Sequence, residues 1–354
     1  MSMLDVIKSM DKNMSYILMK KNVEVCSIDI YNGKVSDLIN ESLPFNLYLE
    51  EGDDIDRRIN NISSFSYWCA SRLLTLDRTH AKAILNACGL KQATTDKDRM
   101  HIALKYRCLS LKDFFWVKQE SENINWEEVN LFSNSLNNAL IDLSLQGRGL
   151  TINRVSDMAT DLSTSGVCAK GWQRQESKLF LLKGDSKDKI NKEYRASNVL
   201  SLLGFNSAIY SKCLVNNEEV LRVECFTSDD EAFITAGEYR LNRDLANLVS
   251  RFSTSFHELV LACYLTGNSD LHEDNWGFLY NDSMEVIKMT PIFDFDHCFE
   301  SNECDLCLPL YVVYGSKLSQ LEAARYALQE LGISKSLLLS KVNDEYVSKR
   351  IQLI

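Results

Sequence analysis

The spacing of apolar and polar residues in the first 150 residues predicts a mixture of strands and helices. The two residue classes alternate in SYILMKKNVEVCSIDIYNG, which predicts a pair of strands that closes at Asn32-Gly33. Residues 64–88 carry apolar residues at helical spacing and precede Gly89, a residue type that commonly ends helices. The aromatic-rich stretches LSLKDFFWVK and INWEEVNLFSNSLNNALIDLSL predict helical or mixed structure.

The pattern changes after residues 145–154, a polar stretch that contains two glycines. KLFLLKG (178–184) predicts a short strand, and SKDKINKEYRASNVLSLLG predicts an amphipathic helix that ends at Gly204. SAIYSKCLV and EEVLRVECF predict a strand pair. We therefore predict a domain boundary near residue 150.

Helical patterns dominate the rest of the chain. LANLVSRFSTSFHELVLACYL predicts one long apolar helix, and MEVIKMTPIFDFDHCF predicts a strand pair or a bent strand. The last forty residues predict two helices. This order predicts an α+β accessory domain over residues 1–150, followed by a domain over 151–354 with a strand-rich lobe (about 151–235) and a helix-rich lobe (about 236–354).

Composition and charge narrow the class of protein. The 354 residues are 45% hydrophobic, which is enough for two ordinary cores. The net charge of −10 gives no global field to attract phosphate backbones, so we expect no direct binding of nucleic acid. The sequence shows neither a signal peptide nor an apolar run of membrane-spanning length, and we expect a cytoplasmic protein without membrane contact. The eleven cysteines are interpreted as reduced thiols, since the single CxxC of Cys304 and Cys307 is a weak zinc motif.

The polar loop GNSDLHEDNWGF, residues 267–278, is the first candidate for chemistry. Asp270 follows a predicted buried helix, where a carboxylate can face an acceptor hydroxyl, and Asn275 offers a neutral oxygen suited to magnesium. Asp294 ends the apolar run TPIFD and is expected to emerge from a strand into the same cleft. Each residue alone is more simply explained as an ordinary turn or loop residue. Together, the D-x-H-x-x-N spacing and an aspartate nineteen residues later favour a phosphoryl-transfer site.

His272 lies inside this loop and has two interpretations. Histidine often serves as a general base, but between Asp270 and Asn275 it is better interpreted as a brace for the loop. We interpret the neighbouring Glu273 and Asp274 as solvated acids.

Lys183 and Glu193 form the second candidate. Lys183 ends the apolar strand LFLLK, where a lysine side chain either extends into solvent or contacts an anion. Glu193 lies on the apolar stripe of the helix that follows, and a carboxylate on a buried face needs a partner. Lys183 is the nearest credible partner, which favours an ion pair at a phosphate site.

The stretch STSGVCAKGW precedes the Lys183 strand and is a candidate phosphate loop. Gly166 permits close approach of the backbone, Ser165 offers a hydroxyl and an amide, and Lys170 can reach an anion. The stretch is neither a Walker motif nor G-x-G-x-x-G, so alone it is a weak signal.

These motifs together resemble the HipA-type serine/threonine kinases, a bacterial branch of the protein-kinase-like fold. TSGVCAK resembles the phosphate loop of that family, LFLLK the lysine strand, and LRVECF the V-E-R-F linker between the lobes. GNSDLHEDNWGF resembles the catalytic loop, and PIFD resembles the metal-binding motif. The five matches keep the order of the family over residues 155–300, and the N-terminal region is similar to the leader region of stand-alone HipA-like proteins.

The resemblance implies a bilobal protein-kinase-like domain that binds ATP and Mg²⁺. It implies that Asp270 is the catalytic aspartate and that Asn275 and Asp294 bind the metal. The nucleotide would be held by the backbone of Glu224 and Phe226 at the adenine, with the remaining contacts made by a set of loop, strand and helix residues: Ser165, Gly166, Lys170, Lys183 and Glu193.

The implied reaction is transfer of a phosphoryl group to a serine or threonine of a protein substrate. Autophosphorylation at Ser163, Thr164 or Ser165 and an antitoxin-like regulator, as in toxin–antitoxin pairs, are further implications of the family. Two alternatives stay open, namely a small-molecule phosphotransferase of the aminoglycoside or choline kinase kind and a non-catalytic kinase-like binding module. The chain departs from the family pattern at Cys225, where arginine is usual, and at Asp296, which replaces a D-F-G-like glycine.

Overall fold

A computed structural model of the protein describes residues 15–75, 77–87, 95–136, 139–146, 163, 167–300 and 318–354. The chain forms two compact units. The first unit comprises Met1–Arg174, Thr227–Ala232 and Asn281–Glu285. The second unit comprises Gln175–Phe226, Phe233–Tyr280 and Val286–Ile354.

The first unit contains an antiparallel sheet with the strand order β3-β2-β1-β4. Its strands are β1 (Ser15–Lys20), β2 (Val23–Asp29), β3 (Val35–Ser36) and β4 (Phe115–Gln119). The helices are α1 (Ile55–Ser71), α2 (Ala81–Ala87), α3 (Asp96–Lys105), α4 (Trp126–Val129) and α5 (Ala139–Gln146). Strand β5 (Ala169–Gln175) ends this unit.

Two sequence predictions for this unit are wrong in detail. The first strand pair closes at Lys21-Asn22, where Lys21 has a φ of +48°, and Asn32-Gly33 instead makes the turn between β2 and β3. The helix predicted over 64–88 is two helices. The first of them ends at Ser71, and the next residue, Arg72, forms a buried, bidentate pair with Asp113 at 2.7 and 2.8 Å.

The second unit contains two antiparallel sheets. In one of them β6 (Lys178–Gly184), β8 (Glu218–Glu224) and β7 (Tyr210–Val215) are neighbours in that order. The other has the order β11 (Val286–Met289), β10 (Gly277–Tyr280) and β9 (Ala232–Thr235). The strands predicted in KLFLLKG, SAIYSKCLV and EEVLRVECF are confirmed.

In the described part of the second unit there are seven helices. They are α6 (Lys187–Leu203), α7 (Ala236–Arg240), α8 (Leu245–Arg251), α9 (Ser253–Thr266), α10 (Gln320–Glu330), α11 (Lys335–Lys341) and α12 (Glu345–Leu353). Helix α6 ends at Gly204 as predicted, and α9 is buried along almost its whole length. Helices and antiparallel sheets occur together in both units, which is the predicted α+β class.

Helix boundaries in this unit differ from the sequence prediction in two places. The long apolar helix is interrupted at Phe252, and the last predicted helix is interrupted before Asp344. The Asp344 side chain accepts a hydrogen bond from the Val347 amide and so begins α12. Within the described ranges, no helix combines the length and the apolar character that crossing a membrane requires.

Candidate active site

Lys183 is the centre of a charged cluster in the second unit. Its ammonium nitrogen Nζ lies 2.6 Å from Oε2 of Glu193 and 2.9 Å from Oδ1 of Asp294. Lys183 is close to the end of β6, and Glu193 lies on the buried face of α6 beside Ile190 and Ala196. The predicted ion pair between Lys183 and Glu193 is therefore present, and Asp294 joins it as a second carboxylate.

The cluster carries more negative than positive charge. Burial alone would lower the pKa of Lys183, but the carboxylates of Asp294 and Glu193 outweigh it and raise that pKa well above its ordinary value. Burial raises the pKa of Glu193 against the opposing effect of Lys183, and Asp294 raises it further. The two carboxylates thus favour the charged form of Lys183.

Asp294 has an unusual backbone conformation. Its φ is +65°, in the left-handed region that aspartate tolerates better than most residues. Its amide donates to the hydroxyl of Tyr210 at 3.5 Å, and its carbonyl accepts from the side-chain amide of Asn268 at 3.3 Å. The prediction that Asp294 ends a strand is wrong, since the preceding residues make only an isolated bridge between Ile292 and Ser207. Partners from distant parts of the chain hold the turn instead.

The predicted catalytic loop follows α9 and Gly267. The side-chain oxygen of Asn268 accepts the amide hydrogen of Asp270 at 2.9 Å, and the side-chain nitrogen of Asn275 donates to the Asp270 carbonyl at 2.8 Å. The backbone of Asp270 is thereby fixed from both sides, while its carboxylate is about half exposed. A fixed, accessible carboxylate is what a catalytic base for an acceptor hydroxyl requires.

His272 acts as a brace in this loop. Its Nδ1 accepts the amide hydrogen of Asp274 at 3.2 Å, and its Nε2 lies 3.8 Å from the Asp270 carboxylate. The interpretation as a solvated acid is wrong for Glu273, whose side chain is only 16% exposed, while Asp274 is exposed as predicted. Glu273 pairs with Arg240 of α7 at 2.7 Å, and Asp274 accepts from the hydroxyl of Thr235, the residue that begins α7, at 3.0 Å. These contacts fasten the loop to α7.

Asn268 and Tyr210 are site residues to which the sequence analysis assigned no role. Asn268 is 5% exposed and contacts the backbone of both Asp270 and Asp294. The Tyr210 ring lies 5.7 Å from Nζ of Lys183, and burial raises the pKa of its hydroxyl. The N-x-D spacing, typical of an asparagine that bonds to the amide two residues on, signals Asn268. Tyr210 carries no such local signal.

Asp296 is held by a lysine of α6. Its carboxylate lies 3.2 Å from Nζ of Lys189, and the adjacent His297 forms a 2.9 Å hydrogen bond with Glu300. This arrangement extends the charged cluster of α6 by one more ion pair.

The linker residues Glu224 and Phe226 border a pocket of about 360 Å³. The Cys225 amide donates to the carbonyl of Leu179 in the neighbouring strand β6 at 2.8 Å. Because the hydrogen-bonding groups of successive residues alternate between the two edges of a strand, the N–H and C=O groups of Glu224 point to the other edge of β8, away from β6. In the β6–β8 register, Phe180 faces Glu224 and Lys183 faces Leu221. Phe180, Ala208 and Cys225 also line this pocket. The assignment of the adenine to Glu224 and Phe226 stays a prediction.

The remaining predicted nucleotide contacts belong to the phosphate loop. Ser165 and Gly166 lie outside the described residues. Lys170 is buried in β5 of the first unit, and its carbonyl accepts a hydrogen bond from Arg78. Cys304 and Cys307 of the weak zinc motif also lie outside the described residues.

The donor set at the loop fits a hard cation better than a soft one. The nitrogen of the Asn275 amide is used by the Asp270 carbonyl, and within the described part of the chain no group donates to its oxygen. That oxygen and the carboxylate of Asp294 are ligands of the kind that Mg²⁺ prefers. Within the described ranges, at this loop or away from it, no cluster of three or more histidine, cysteine, aspartate or glutamate side chains is suited to a metal ion.

Comparisons with known proteins give a match in structure only. No protein-family model matches the chain, and no curated protein matches its sequence. The chain is similar to the kinase CtkA of Helicobacter pylori, described as proinflammatory, with 16% identity and a TM-score of 0.39 over 52% of this chain and 86% of CtkA.

The second similar structure is HipA of Shewanella oneidensis MR-1, in its toxin–antitoxin complex with HipB and operator DNA. The identity is 14% and the TM-score 0.54, over 96% of this chain and 89% of HipA. At this identity the similarity concerns the fold, and it confirms the predicted fold class: the chain has a HipA-like, kinase-like α+β fold.

Proposed function

We propose that the HipA-like domain, residues 151–354, transfers a phosphoryl group from Mg-ATP to a serine or threonine hydroxyl of a protein. The observation that carries this proposal is one connected set of contacts. Lys183 joins Glu193 to Asp294, and Asn268 joins Asp294 to Asp270. Phosphoryl transfer needs such a set, because its catalysis consists largely of positioning and charge neutralisation.

Each residue has a defined task in this proposal. The Asp270 carboxylate accepts the proton of the acceptor hydroxyl as that oxygen forms its bond to the γ-phosphorus, while the bond from the γ-phosphorus to the bridging oxygen breaks and ADP leaves. Lys183, kept charged by two carboxylates, binds phosphate oxygens. Asn275 and Asp294 would hold Mg²⁺, which supplies neutralisation of the phosphate charge when it is bound.

Nucleotide binding by Ser165, Gly166, Lys170, Glu224 and Phe226 is part of the same proposal, on the basis of the family resemblance. So is autophosphorylation in the segment 163–165. The Ser163 hydroxyl lies 2.6 Å from that of Ser110. A phosphate at Ser163 would add close to two negative charges beside a predicted phosphate site, and we expect it to inhibit.

An antitoxin-like protein is the proposed regulator. The support for it is that the HipA of similar fold is bound to HipB in its complex. The net charge of −10 favours a regulator that itself contacts DNA, since this chain has no global attraction for a phosphate backbone.

The test is an incubation with radiolabelled ATP and Mg²⁺. Purified wild type and Asp270→Asn are each mixed with a cell lysate and, separately, with a panel of aminoglycosides and choline-like amines. We expect phosphoserine or phosphothreonine on lysate protein, or on the chain itself, with the wild type only. Label confined to a small amine supports the small-molecule alternative. Mg-ATP binding without any transfer supports the non-catalytic alternative.

A further inference from the structure

Two helices at the C-terminal end of the chain reach the candidate active site through a row of buried polar side chains. Gln320, the first residue of α10, donates through Nε2 to the backbone carbonyl of Asn268 at 2.8 Å. Arg350 of α12 donates through Nη2 to Oε1 of Gln320 at 3.4 Å. The three side chains are 4 to 6% exposed, so each is isolated from solvent.

Arg350 is itself fixed by several contacts. Its Nε donates to the carbonyl of Tyr264 at 2.5 Å, and its guanidinium stacks 4.3 Å from the centre of the Tyr264 ring. Its Nη1 donates to the hydroxyl of Tyr346 at 3.3 Å. Because Tyr264 belongs to α9 and Tyr346 to α12, Arg350 has little freedom to move away from Gln320.

Asn268 connects this row of side chains to Asp270 and Asp294 of the candidate active site. Its side-chain oxygen holds the amide of Asp270, and its side-chain nitrogen holds the carbonyl of Asp294. A rotation of the Asn268 peptide would therefore displace both carboxylates assigned above to proton acceptance and metal binding. The Asn268 carbonyl also accepts from the thiol of Cys263 at 3.3 Å, a weak donor, so Gln320 supplies the stronger bond.

We propose that Gln320 and Arg350 are positioning residues of the active site. They fix the Asn268 peptide, and through it they set Asp270 and Asp294. The expected effect on turnover rests on the proposed function. The expected effect on the backbone of Asn268 and Asp270 does not depend on it. A buried, fully connected polar network suits this task, since each side chain is held on both sides by a partner of fixed geometry.

The substitution Gln320→Glu separates positioning from helix packing. A glutamate keeps an acceptor for Arg350 and adds opposite charge to that contact, but it removes the donor to the Asn268 carbonyl. Because a carboxylate oxygen would then face the Asn268 carbonyl oxygen in a buried position, we expect a lower thermal midpoint, offset in part by the stronger pair with Arg350. We expect the Asp270 amide to exchange with deuterium at least tenfold faster, and kcat to fall about tenfold with less than a twofold change in the KM for ATP.

A matched control exists on the same helix pair. Arg325 of α10 donates to the Leu353 carbonyl of α12 at 2.8 Å, on the exposed side of the two helices. Arg325→Met removes a contact between α10 and α12 without touching Asn268. We expect it to leave both the exchange of the Asp270 amide and kcat within twofold of wild type.

The deuterium-exchange result decides the proposal independently of activity. Unchanged exchange at Asp270 in Gln320→Glu overturns it, and so does faster exchange of the same size in Arg325→Met. If wild type transfers no phosphate, the proposed function fails, while faster exchange in Gln320→Glu alone still supports the positioning role. If Gln320→Glu unfolds, Gln320→Met is measured in the same way, with the same expected and contrary results.

Discussion

At the scale of single residues, the site depends on charges that are buried together. Glu193 is 1% exposed and Lys183 is 4% exposed, and such charges are tolerated only when they are paired. Helical spacing was enough to place Glu193 on the buried stripe and to assign Lys183 as its partner. The contribution of Asp294 to the pair could not be predicted, because it depends on a left-handed turn held by Tyr210 and Asn268.

Replacing Lys183 by methionine should destabilise the fold in a pH-dependent way. Glu193 would keep its burial and lose its counter-charge, which costs about 3 kcal/mol or more. The pKa of Glu193 is raised already and would rise further. A carboxyl group with a raised pKa stabilises the fold in its protonated form, so this contribution to the stability of the protein is lost as pH rises. The loss relative to wild type should therefore be smaller near about pH 5 than near about pH 8.

Urea unfolding of the two proteins across this pH range measures the effect. The double variant Lys183→Met, Glu193→Leu removes both charges and should recover a large part of the loss at the higher pH. An equal loss at both ends of the range, or no recovery in the double variant, would show that the pair is not electrostatically coupled.

The pKa values of two histidines, His297 and His257, give a second prediction of pH dependence. Burial alone would lower the pKa of His297, but the hydrogen bond that it donates to Glu300 and the charge of Asp296 raise that pKa above its ordinary value of 6.5. Burial lowers the pKa of His257 of α9 below the same value. The stability that charged His297 contributes is present below its ordinary pKa and is lost as pH rises through the raised value.

NMR titration of the histidine Cε1 protons, assigned with His297→Gln and His257→Gln, should give His297 the higher pKa of the two. Glu300→Gln should lower the pKa of His297 and leave that of His257 in place. The reverse order of the two titrations contradicts the arrangement of charges around His297.

At the scale of elements, the sequence predicts most helices and strands but not their ends. The ends depend on single side chains with partners elsewhere in the chain. One predicted helix ends before Arg72, whose side chain forms a buried pair with Asp113, and Asp344 starts a new helix inside another. The catalytic loop shows the same limit. Its residue types were predicted from spacing, while its attachment to Thr235 and Arg240 of distant segments was not.

Gly267 begins the catalytic loop and should be intolerant of substitution. It has a φ of +62°, and a Cβ there would overlap the hydroxyl of Tyr346 in α12. Gly332, which follows α10, has the same φ of +62°, but a Cβ there meets no atom of the described chain within 4 Å. Gly332→Ala should thus cost only the backbone strain, about 1 kcal/mol. Gly267→Ala should cost at least about 1 kcal/mol more, because the loop or α12 must shift.

Chemical denaturation of both variants beside wild type gives the comparison. Equal losses would mean that α12 does not confine the start of the loop. A larger loss in Gly267→Ala that Tyr346→Phe partly relieves would locate the clash at the tyrosine hydroxyl.

At the scale of the whole molecule, the order of motifs along the chain led to the fold. Motifs that resemble a phosphate loop, a lysine strand, a linker and a catalytic loop succeed one another over residues 155–300, and the similarity in fold to HipA extends over 96% of the chain. At 14% identity, the two folds are similar with few residues in common. The domain boundary near residue 150 remains a prediction, because residues 147–162 lie outside the described part of the chain. The roles of the individual site residues also remain predictions, because they depend on ligands and partners rather than on the fold.

The central claim is that Asp270 and Asp294 serve one phosphoryl-transfer reaction. The most direct measurement is a single-turnover assay with radiolabelled ATP and the protein substrate, comparing wild type, Asp270→Asn and Asp294→Asn, with Mg²⁺ or with a chelator. Asparagine keeps the size of both side chains and tolerates the positive φ of residue 294. We predict that wild type transfers phosphate only with Mg²⁺, and that each variant is at least about a hundredfold slower while remaining folded. Transfer at the wild-type rate by either folded variant would contradict the account.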